Sequence, residues 1–297
     1  MRCRLLVTLL LLAPLGSHAA VAADPLAARI AEITKGFKGT VVLYAKNLRT
    51  GRAIASNPDA RVRTASTIKL PILCTLESLV TQGKVKWDER LVLAPEDKVS
   101  GSGVLQSLAD DTDLTVRNLA ILMIIVSDNS ATNLLIDRIG ADTVNAYLDS
   151  IGLTTTRLNR KILGDAPPSG WSKAGLMEKN KRFGLGVSTP REMVTLLERL
   201  HQGKMVSAAA SKDVIGILKE QQVTASMGRH APEEWTIASK SGSLNALRSD
   251  VGLIYSSGDP IALAVTVDDM PVADYSPDNV GEKLIWQLTE AIVQGLS

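Results

Sequence analysis

The sequence is poor in histidine, cysteine and aromatic residues. Its 297 residues include 3 His and 2 Cys, which are too few for most zinc hydrolase sites, because these need three protein ligands. The 4 Trp, 4 Tyr and 2 Phe are too few for the stacking surfaces of single-strand nucleic-acid binders. Any chemistry of this chain is therefore expected to rest on Ser, Lys, Asp, Glu or backbone groups.

A surplus of charge of one sign is also missing. Lys and Arg number 33 and Asp and Glu 31, so the net charge is +2 and no basic excess indicates a nucleic-acid partner. Hydrophobic residues make up 45% and charged residues 22%, as in ordinary globular proteins. A chain of this length buries a large core, in one large domain or two small ones.

The first 23 residues are typical of a secretory signal peptide. Arg2 and Arg4 precede an apolar run at 5–15, and an Ala-Val-Ala cleavage site follows at 20–22. Because the run is too short to span a membrane, we expect an exported protein, periplasmic or secreted, without a transmembrane span. Cleavage removes two Arg (33 − 2 = 31) and leaves equal numbers of basic and acidic residues. The remaining thiol, Cys74, is interpreted as a core residue.

Hydrophobic periodicity predicts one antiparallel sheet built from both chain ends. The predicted strands are 40–46, 52–56, 236–239, 250–256 and 261–267. The predicted helices are 25–37, 66–82, 114–126, 131–139, 142–151, 190–201, 208–221 and 279–296. Residues 91–93 and 154–188 are expected to be loops. The fold class is therefore α/β of the α+β kind, with a sheet lobe at about 24–63 and 205–297 and an all-helical lobe at about 64–204.

The first of three short motifs is Ser-Thr-Ile-Lys at 66–69. On a helix, Ser66 and Lys69 share a face, and a nearby amine that takes the hydroxyl proton makes a serine nucleophilic. The alternative is a serine N-cap followed by an exposed lysine.

The second motif, Ser127-Asp128-Asn129, follows the apolar segment 114–126. Polar groups at the end of an apolar segment need hydrogen-bond partners or face a cleft. One interpretation gives Ser127 a proton relay and Asn129 a contact with a substrate amide. The alternative is a cap, with Ser127 or Asp128 beginning the next helix.

The third motif, Lys240-Ser241-Gly242-Ser243, is expected to follow the strand 236–239. Gly242 allows a ligand to approach the backbone, Lys240 suits a carboxylate, and the Ser243 N–H suits an oxyanion. The alternative is a solvent-facing lysine at the end of a strand.

In this order the three motifs resemble the signature of penicillin-recognising serine enzymes, and the sequence is similar to the class A β-lactamase family. Further matches are Asn133, the segment 156–160 at the start of the family's omega loop and the segment 188–190 at its end. Arg248 falls where many members carry a carboxylate-binding arginine. The resemblance extends over nearly the whole chain that follows the signal peptide.

The resemblance implies a β-lactamase/transpeptidase-like fold and an acyl-enzyme mechanism that needs neither a metal nor an organic cofactor. Ser66 is then the nucleophile, Lys69 the general base or part of a relay, and Ser127 the donor to the leaving nitrogen. The implied substrate-binding residues are Asn129, Lys240, Ser241, Gly242, Ser243 and Arg248. The implied partner is a small molecule, either a β-lactam or a peptidoglycan-like acyl-D-Ala-D-Ala, bound by a monomer.

The omega-loop segment departs from the family pattern. The family's deacylating glutamate lies two residues after the omega-loop arginine, and here Arg160 is followed by Lys161 and Ile162. Glu178 is the replacement candidate, with a solvated charge run at 178–182 as the alternative; Asp165 is a weaker candidate. The catalytic lysine is a further candidate base for deacylation.

The resulting expectation is a serine hydrolase that opens β-lactam rings. Two alternatives stay open. One is a D,D-peptidase or esterase on the same fold, because a fold does not fix the substrate. The other is a covalent β-lactam- or peptidoglycan-binding protein that does not turn over, an alternative that the absent glutamate keeps open.

Overall fold

A computed structural model describes residues 24–163, 170–256 and 258–297. The predicted signal peptide and Asp165 lie outside the described residues. The strands are β1 (Thr40–Asn47), β2 (Ala53–Ser56), β3 (Val62–Arg63), β4 (Arg90–Leu93), β5 (Thr112–Thr115), β6 (Arg157–Leu158), β7 (Gly186–Ser188), β8 (Thr236–Leu244), β9 (Leu247–Tyr255) and β10 (Ile261–Asp268). The helices are α1 (Pro25–Thr34), α2 (Lys69–Thr81), α3 (Val116–Ile125), α4 (Asn129–Ile139), α5 (Ala141–Ser150), α6 (Lys173–Leu176), α7 (Glu178–Lys181), α8 (Pro190–His201), α9 (Ala208–Lys219) and α10 (Val280–Leu296).

The main sheet has five antiparallel strands in the order β2-β1-β10-β9-β8. Both chain ends contribute to it, as predicted, because β1 and β2 form the early hairpin and β8 to β10 follow one another along the chain. The expected α+β fold class is confirmed. No helix among the described residues is long and apolar enough to cross a membrane.

Two hydrophobic clusters cover the two faces of this sheet. Along β10, Ala262 and Ala264 point into the cluster that contains α2 to α5, α8 and α9. Leu263 and Val265 point the other way, into the cluster with α1 and α10. Since side chains alternate along a strand, small residues face the large helical lobe and branched residues face the two terminal helices. The sheet is therefore buried on both sides, and Cys74 lies within the helical-side cluster.

Three details differ from the sequence-based prediction. Residues 91–93 are not a loop, because β4 pairs with β5. The predicted loop 154–188 contains α6, α7 and the strands β6 and β7, and β7 pairs with both β3 and β6. Strand β8 continues to Leu244, five residues beyond the predicted end (244 − 239), with its register kept by β9. Elements of two to four residues are too short to show a hydrophobic period, so their pairing partners define them.

Candidate active site

Ser66 lies in a turn that the fold holds tightly against strand β8. The turn is a 3₁₀ helix, Ala65–Ile68, and not the first turn of the α-helix, which begins at Lys69. Ala65 has a φ of 45°, a strained value for a residue with a Cβ, and such strain persists only where the surroundings impose it. Ser66 is half-buried, lines an open cavity and has no hydrogen-bond partner for its Oγ among the described side chains.

Gly242 explains how the turn and the strand approach so closely. A Cβ at this position would lie 2.8 Å from the Thr64 carbonyl oxygen, 3.0 Å from the Ser66 nitrogen and 3.1 Å from the Ala65 Cβ. Only glycine fits there without a shift of the backbone. Gly242 therefore sets the distance between the β8 motif and the Ser66 turn.

Lys69 joins the first motif to the second. Its Nζ donates to the Ser127 carbonyl oxygen at 2.7 Å, to Ser127 Oγ at 3.2 Å and to Asn129 Oδ1 at 3.0 Å. The side chain is completely buried. Burial, followed by the charge of Lys240, lowers the pKa of Lys69 well below that of a free lysine, and Asp128 opposes this only in part. The shift favours the neutral amine, which is the form that can accept a proton.

Asp128 fixes the second motif in place. Its Oδ1 accepts from the Ala131 N–H at 2.8 Å, and its Oδ2 accepts from the N–H groups of Val104 at 2.6 Å and Leu105 at 2.9 Å. Asp128 is thus the N-cap of α4, as the alternative interpretation had it, while Ser127 faces Lys69. Ser127 adopts a φ of 55°, a conformation rare for a non-glycine residue. The capping interpretation therefore holds for Asp128, while the proton relay through Ser127 and the substrate contact of Asn129 stay predictions.

Asn129 lines the cavity and is held at both ends of its amide. Its Oδ1 accepts from Lys69, and its Nδ2 donates to the Ser100 carbonyl oxygen at 2.9 Å. Its backbone N–H also donates to the Ser102 carbonyl oxygen at 3.0 Å. These contacts fix the Asn129 amide at the edge of the cavity, beside residues 100–102.

The third motif lies inside β8 and does not follow the strand. Lys240 is completely buried, so the interpretation as a solvent-facing lysine is wrong. Its Nζ donates to the Ser241 carbonyl oxygen at 2.8 Å. Burial lowers the pKa of Lys240 to about 7, although the negative charge of Asp250 opposes the shift. Ser243, by contrast, is exposed and lines the same cavity as Ser66.

Arg248 does not line this cavity. Its guanidinium is buried and forms an ion pair with Glu282 at 3.0 Å. It also donates to the carbonyl oxygens of Leu244, Leu247 and Asp274. In this structure Arg248 thus ties the end of β8 and the segment before α10 to the helix α10 itself.

Among the described residues of the omega-loop segment, Ile162 lines the cavity and no acidic residue does. The Asn133 side chain binds its backbone on both sides: the Ile162 N–H donates to Asn133 Oδ1 and Asn133 Nδ2 donates to the Ile162 carbonyl oxygen, each at 2.9 Å. Glu178 does not line the cavity. Its side chain is 86% exposed and pairs with Lys181 at 2.7 Å, which agrees with a solvated charge run.

The cavity that contains Ser66 and Ser243 has a volume of about 470 Å³. No Asp or Glu is present in its lining as far as the chain is described. The lining includes four side chains that sequence reasoning missed: Arg63, Arg182, Phe183 and Tyr275. They come from segments far apart in the chain, so no local sequence signal could have found them. No group of three or more His, Cys, Asp or Glu in the described part of the chain is arranged to hold a metal ion.

An antiparallel sheet beside a helical lobe, with a Ser-Lys-Ser cluster at their junction, defines the class of serine β-lactamases and penicillin-binding proteins. The chain belongs to the Beta-lactamase enzyme family, whose model matches residues 25–296. It is similar to a β-lactamase from Bacillus licheniformis, with 26% identity over 272 residues that cover 90% of this chain and 82% of the relative.

Solved structures of β-lactamases and of PBP-A also match this chain. A β-lactamase from Sphaerobacter thermophilus matches with a TM-score of 0.78 and 32% identity, over 92% of this chain and 96% of that one. A mutant of PBP-A, in an acyl-enzyme complex with penicillin G, matches with a TM-score of 0.77 and 26% identity, over 91% and 94% of the two chains.

Proposed function

We propose that the protein is a serine hydrolase that opens β-lactam rings through an acyl-enzyme on Ser66. The observation that carries the proposal is the buried contact between Lys69 Nζ and Ser127 Oγ, at 3.2 Å, one helical turn from a serine that lines an open cavity. The related PBP-A mutant forms an acyl-enzyme with penicillin G, and the same covalent step is proposed for this chain.

In the acylation step, Ser66 Oγ attacks the carbonyl carbon of the lactam while Lys69 Nζ takes the hydroxyl proton. The contact between Ser66 and the amine forms as the substrate binds, since catalytic hydrogen bonds tighten in the reacting complex. The carbon–nitrogen bond of the ring then breaks, and Ser127 passes a proton to the leaving nitrogen. Lys69 resupplies Ser127 with that proton through the hydrogen bond between them.

The backbone N–H groups of Ser66 and Ser243 stabilise the developing oxyanion, and the loss of one such donor costs about 3–4 kcal/mol. Lys240 and Ser241 bind the carboxylate that β-lactams carry beside the ring nitrogen. Asn129 contacts the amide of the acyl side chain. Arg248 acts indirectly, because it braces the end of β8 through Glu282.

Deacylation differs from the usual family arrangement, because Ile162 stands where the glutamate is expected. Water then attacks the ester carbonyl carbon while Lys69 takes a proton from that water. The ester bond to Ser66 Oγ breaks, Lys69 returns the proton to Ser66 Oγ, and the ring-opened acid leaves. A second function, covalent capture of β-lactams with slow turnover, is favoured by one observation: the described lining of the cavity holds no carboxylate.

The protein is further proposed to act as an exported monomer, in the periplasm or outside the cell, after removal of residues 1–23. This rests on the two arginines, the apolar run and the cleavage site at its N-terminus.

A chromogenic cephalosporin tests the function directly. Wild-type protein is expected to hydrolyse it continuously, and Ser66→Ala is expected to lose at least about a thousandfold of that rate. A burst of one equivalent without turnover supports covalent capture instead. Equal rates for wild type and Ser66→Ala would refute the proposed mechanism.

A further inference from the structure

The cavity around Ser66 has an unbalanced charge. Its lining contains three arginines, Arg63, Arg160 and Arg182, and its described part contains no acidic side chain. The chain without its first 23 residues has equal numbers of basic and acidic residues, so this local surplus does not reflect the composition of the protein. A positively charged cleft raises the local concentration of anionic ligands.

Two of these arginines have no acidic partner among the described residues. Arg63 forms an ion pair with Asp268 and is neutralised by it. Arg160 donates to the Lys161 carbonyl oxygen at 2.9 Å, and no described carboxylate pairs with it or with Arg182. Arg160 is half-buried, and this burial lowers its pKa. A partly desolvated guanidinium that lacks an anion is a good binding group for one.

Aromatic rings hold both guanidinium groups at the cavity. The Arg160 guanidinium lies 5.7 Å from the centre of the Trp171 ring, and that of Arg182 lies 4.6 Å from the centre of the Phe183 ring. Arg61 stacks on Phe183 as well, also at 4.6 Å. Burial and the charge of Arg182 both lower the pKa of Arg61, so two like charges are held close together. Stacking of this kind leaves the N–H edges of an arginine free for a ligand.

We propose that Arg160 and Arg182 form an anion-binding subsite that selects substrates whose acyl group carries a carboxylate. The inference rests on the proposed function, which assigns the ring carboxylate of the substrate to Lys240 and Ser241. The subsite therefore binds a second negative charge on the acyl side chain. The carboxylate accepts N–H bonds from the two guanidinium groups while Ser66 attacks the lactam.

Two penicillins that differ by one carboxylate test the subsite. Benzylpenicillin and its α-carboxy derivative are compared by the second-order rate constant for acylation of Ser66, followed by mass spectrometry. Wild type is expected to prefer the carboxylated compound about tenfold, or about 1.4 kcal/mol. The preference is expected to fall as salt rises, because the interaction is electrostatic.

The ratio of the two rate constants is the readout for each variant, since it cancels general effects on the site. Arg160→Gln with Arg182→Gln is expected to bring the ratio close to one, and Arg160→Lys to keep part of it. Arg182→Glu, at an exposed position, is expected to invert the preference. Arg29→Glu, at an exposed position of α1 and outside the cavity lining, changes the net charge by the same two units as Arg182→Glu and the double variant and is expected to leave the ratio unchanged.

A ratio that stays the same in Arg182→Glu and in the double variant would overturn the subsite. Failure of the proposed function would give a different result, because neither penicillin would then acylate the wild-type protein. In that case the dissociation constants of both compounds with Ser66→Ala, measured by calorimetry, give the same ratio without chemistry. Tighter binding of the carboxylated compound that is lost in Arg182→Glu supports the subsite, and equal binding overturns it.

Discussion

Replacing Gly242 by alanine tests the close approach of β8 to the Ser66 turn. The added Cβ would lie 2.8 Å from the Thr64 carbonyl oxygen and 3.0 Å from the Ser66 nitrogen, whereas ordinary contacts begin near 3.4 Å. Neither atom belongs to a flexible side chain, so strand and turn must separate by several tenths of an ångström.

Overpacking of this kind costs about 1–3 kcal/mol. For a domain of this size we expect the midpoint of thermal unfolding to fall by about 2–10 °C. Acylation should suffer more than stability, because the shift displaces both the nucleophile and the oxyanion donors. A loss of about a hundredfold in the acylation rate corresponds to the loss of roughly one such donor.

Gly216→Ala is the matched control, because Gly216 lies within α9 and a Cβ there would meet nothing within 4 Å. This variant is expected to gain about 0.4–1 kcal/mol of stability and to acylate normally. Calorimetry and the mass-spectrometric acylation rate with benzylpenicillin are measured for both variants. If Gly242→Ala unfolds and reacts like wild type, the reasoning on the close contact is refuted.

Three further predictions concern titration and deacylation. Because the pKa of Lys69 is depressed, the acylation rate should rise with pH and level off well below 10.5 in stopped-flow measurements; a rise centred on 10.5 would contradict its role as base. Ile162→Glu should speed loss of the Ser66 adduct at least about tenfold, and Ile162→Gln should not, as seen by mass spectrometry over time. Burial and the neighbouring Asp213 both raise the pKa of Glu77, from 4.5 to about 8. The folded state keeps the Glu77 proton over this range, so the free energy of unfolding should fall between about pH 5 and pH 8. The fall should be steeper in wild type than in Glu77→Gln, and parallel curves for the two proteins would contradict this.

Local patterns sufficed for the parts of the fold that are long and periodic. The β1–β2 hairpin consists of two segments rich in β-branched and apolar residues around a glycine-containing loop, and α8 begins at the proline that follows a capping threonine. Both were predicted within a few residues. The strands β6 and β7 were not, because two or three residues carry no period and only their pairing makes them strands.

The motifs were found from sequence, but their environment was not. Lys240 and Ser241 have the polarity of a strand end, and only tertiary packing buries them inside β8. The position of Arg248 in the sequence predicted a contact with substrate. In the folded chain Arg248 forms an ion pair with Glu282 on α10, a helix that is distant in sequence. The shared cavity of Arg160 and Arg182 was missed for the same reason, since the two arginines line it together only in the folded chain.

The central claim is that Ser66 becomes acylated. Incubation with benzylpenicillin, followed by an intact mass spectrum and peptide mapping, tests it most directly. We predict a mass increase equal to one penicillin, located on the peptide that contains Ser66 and absent in Ser66→Ala. An adduct on another residue, or continued ring opening by Ser66→Ala, would contradict the account.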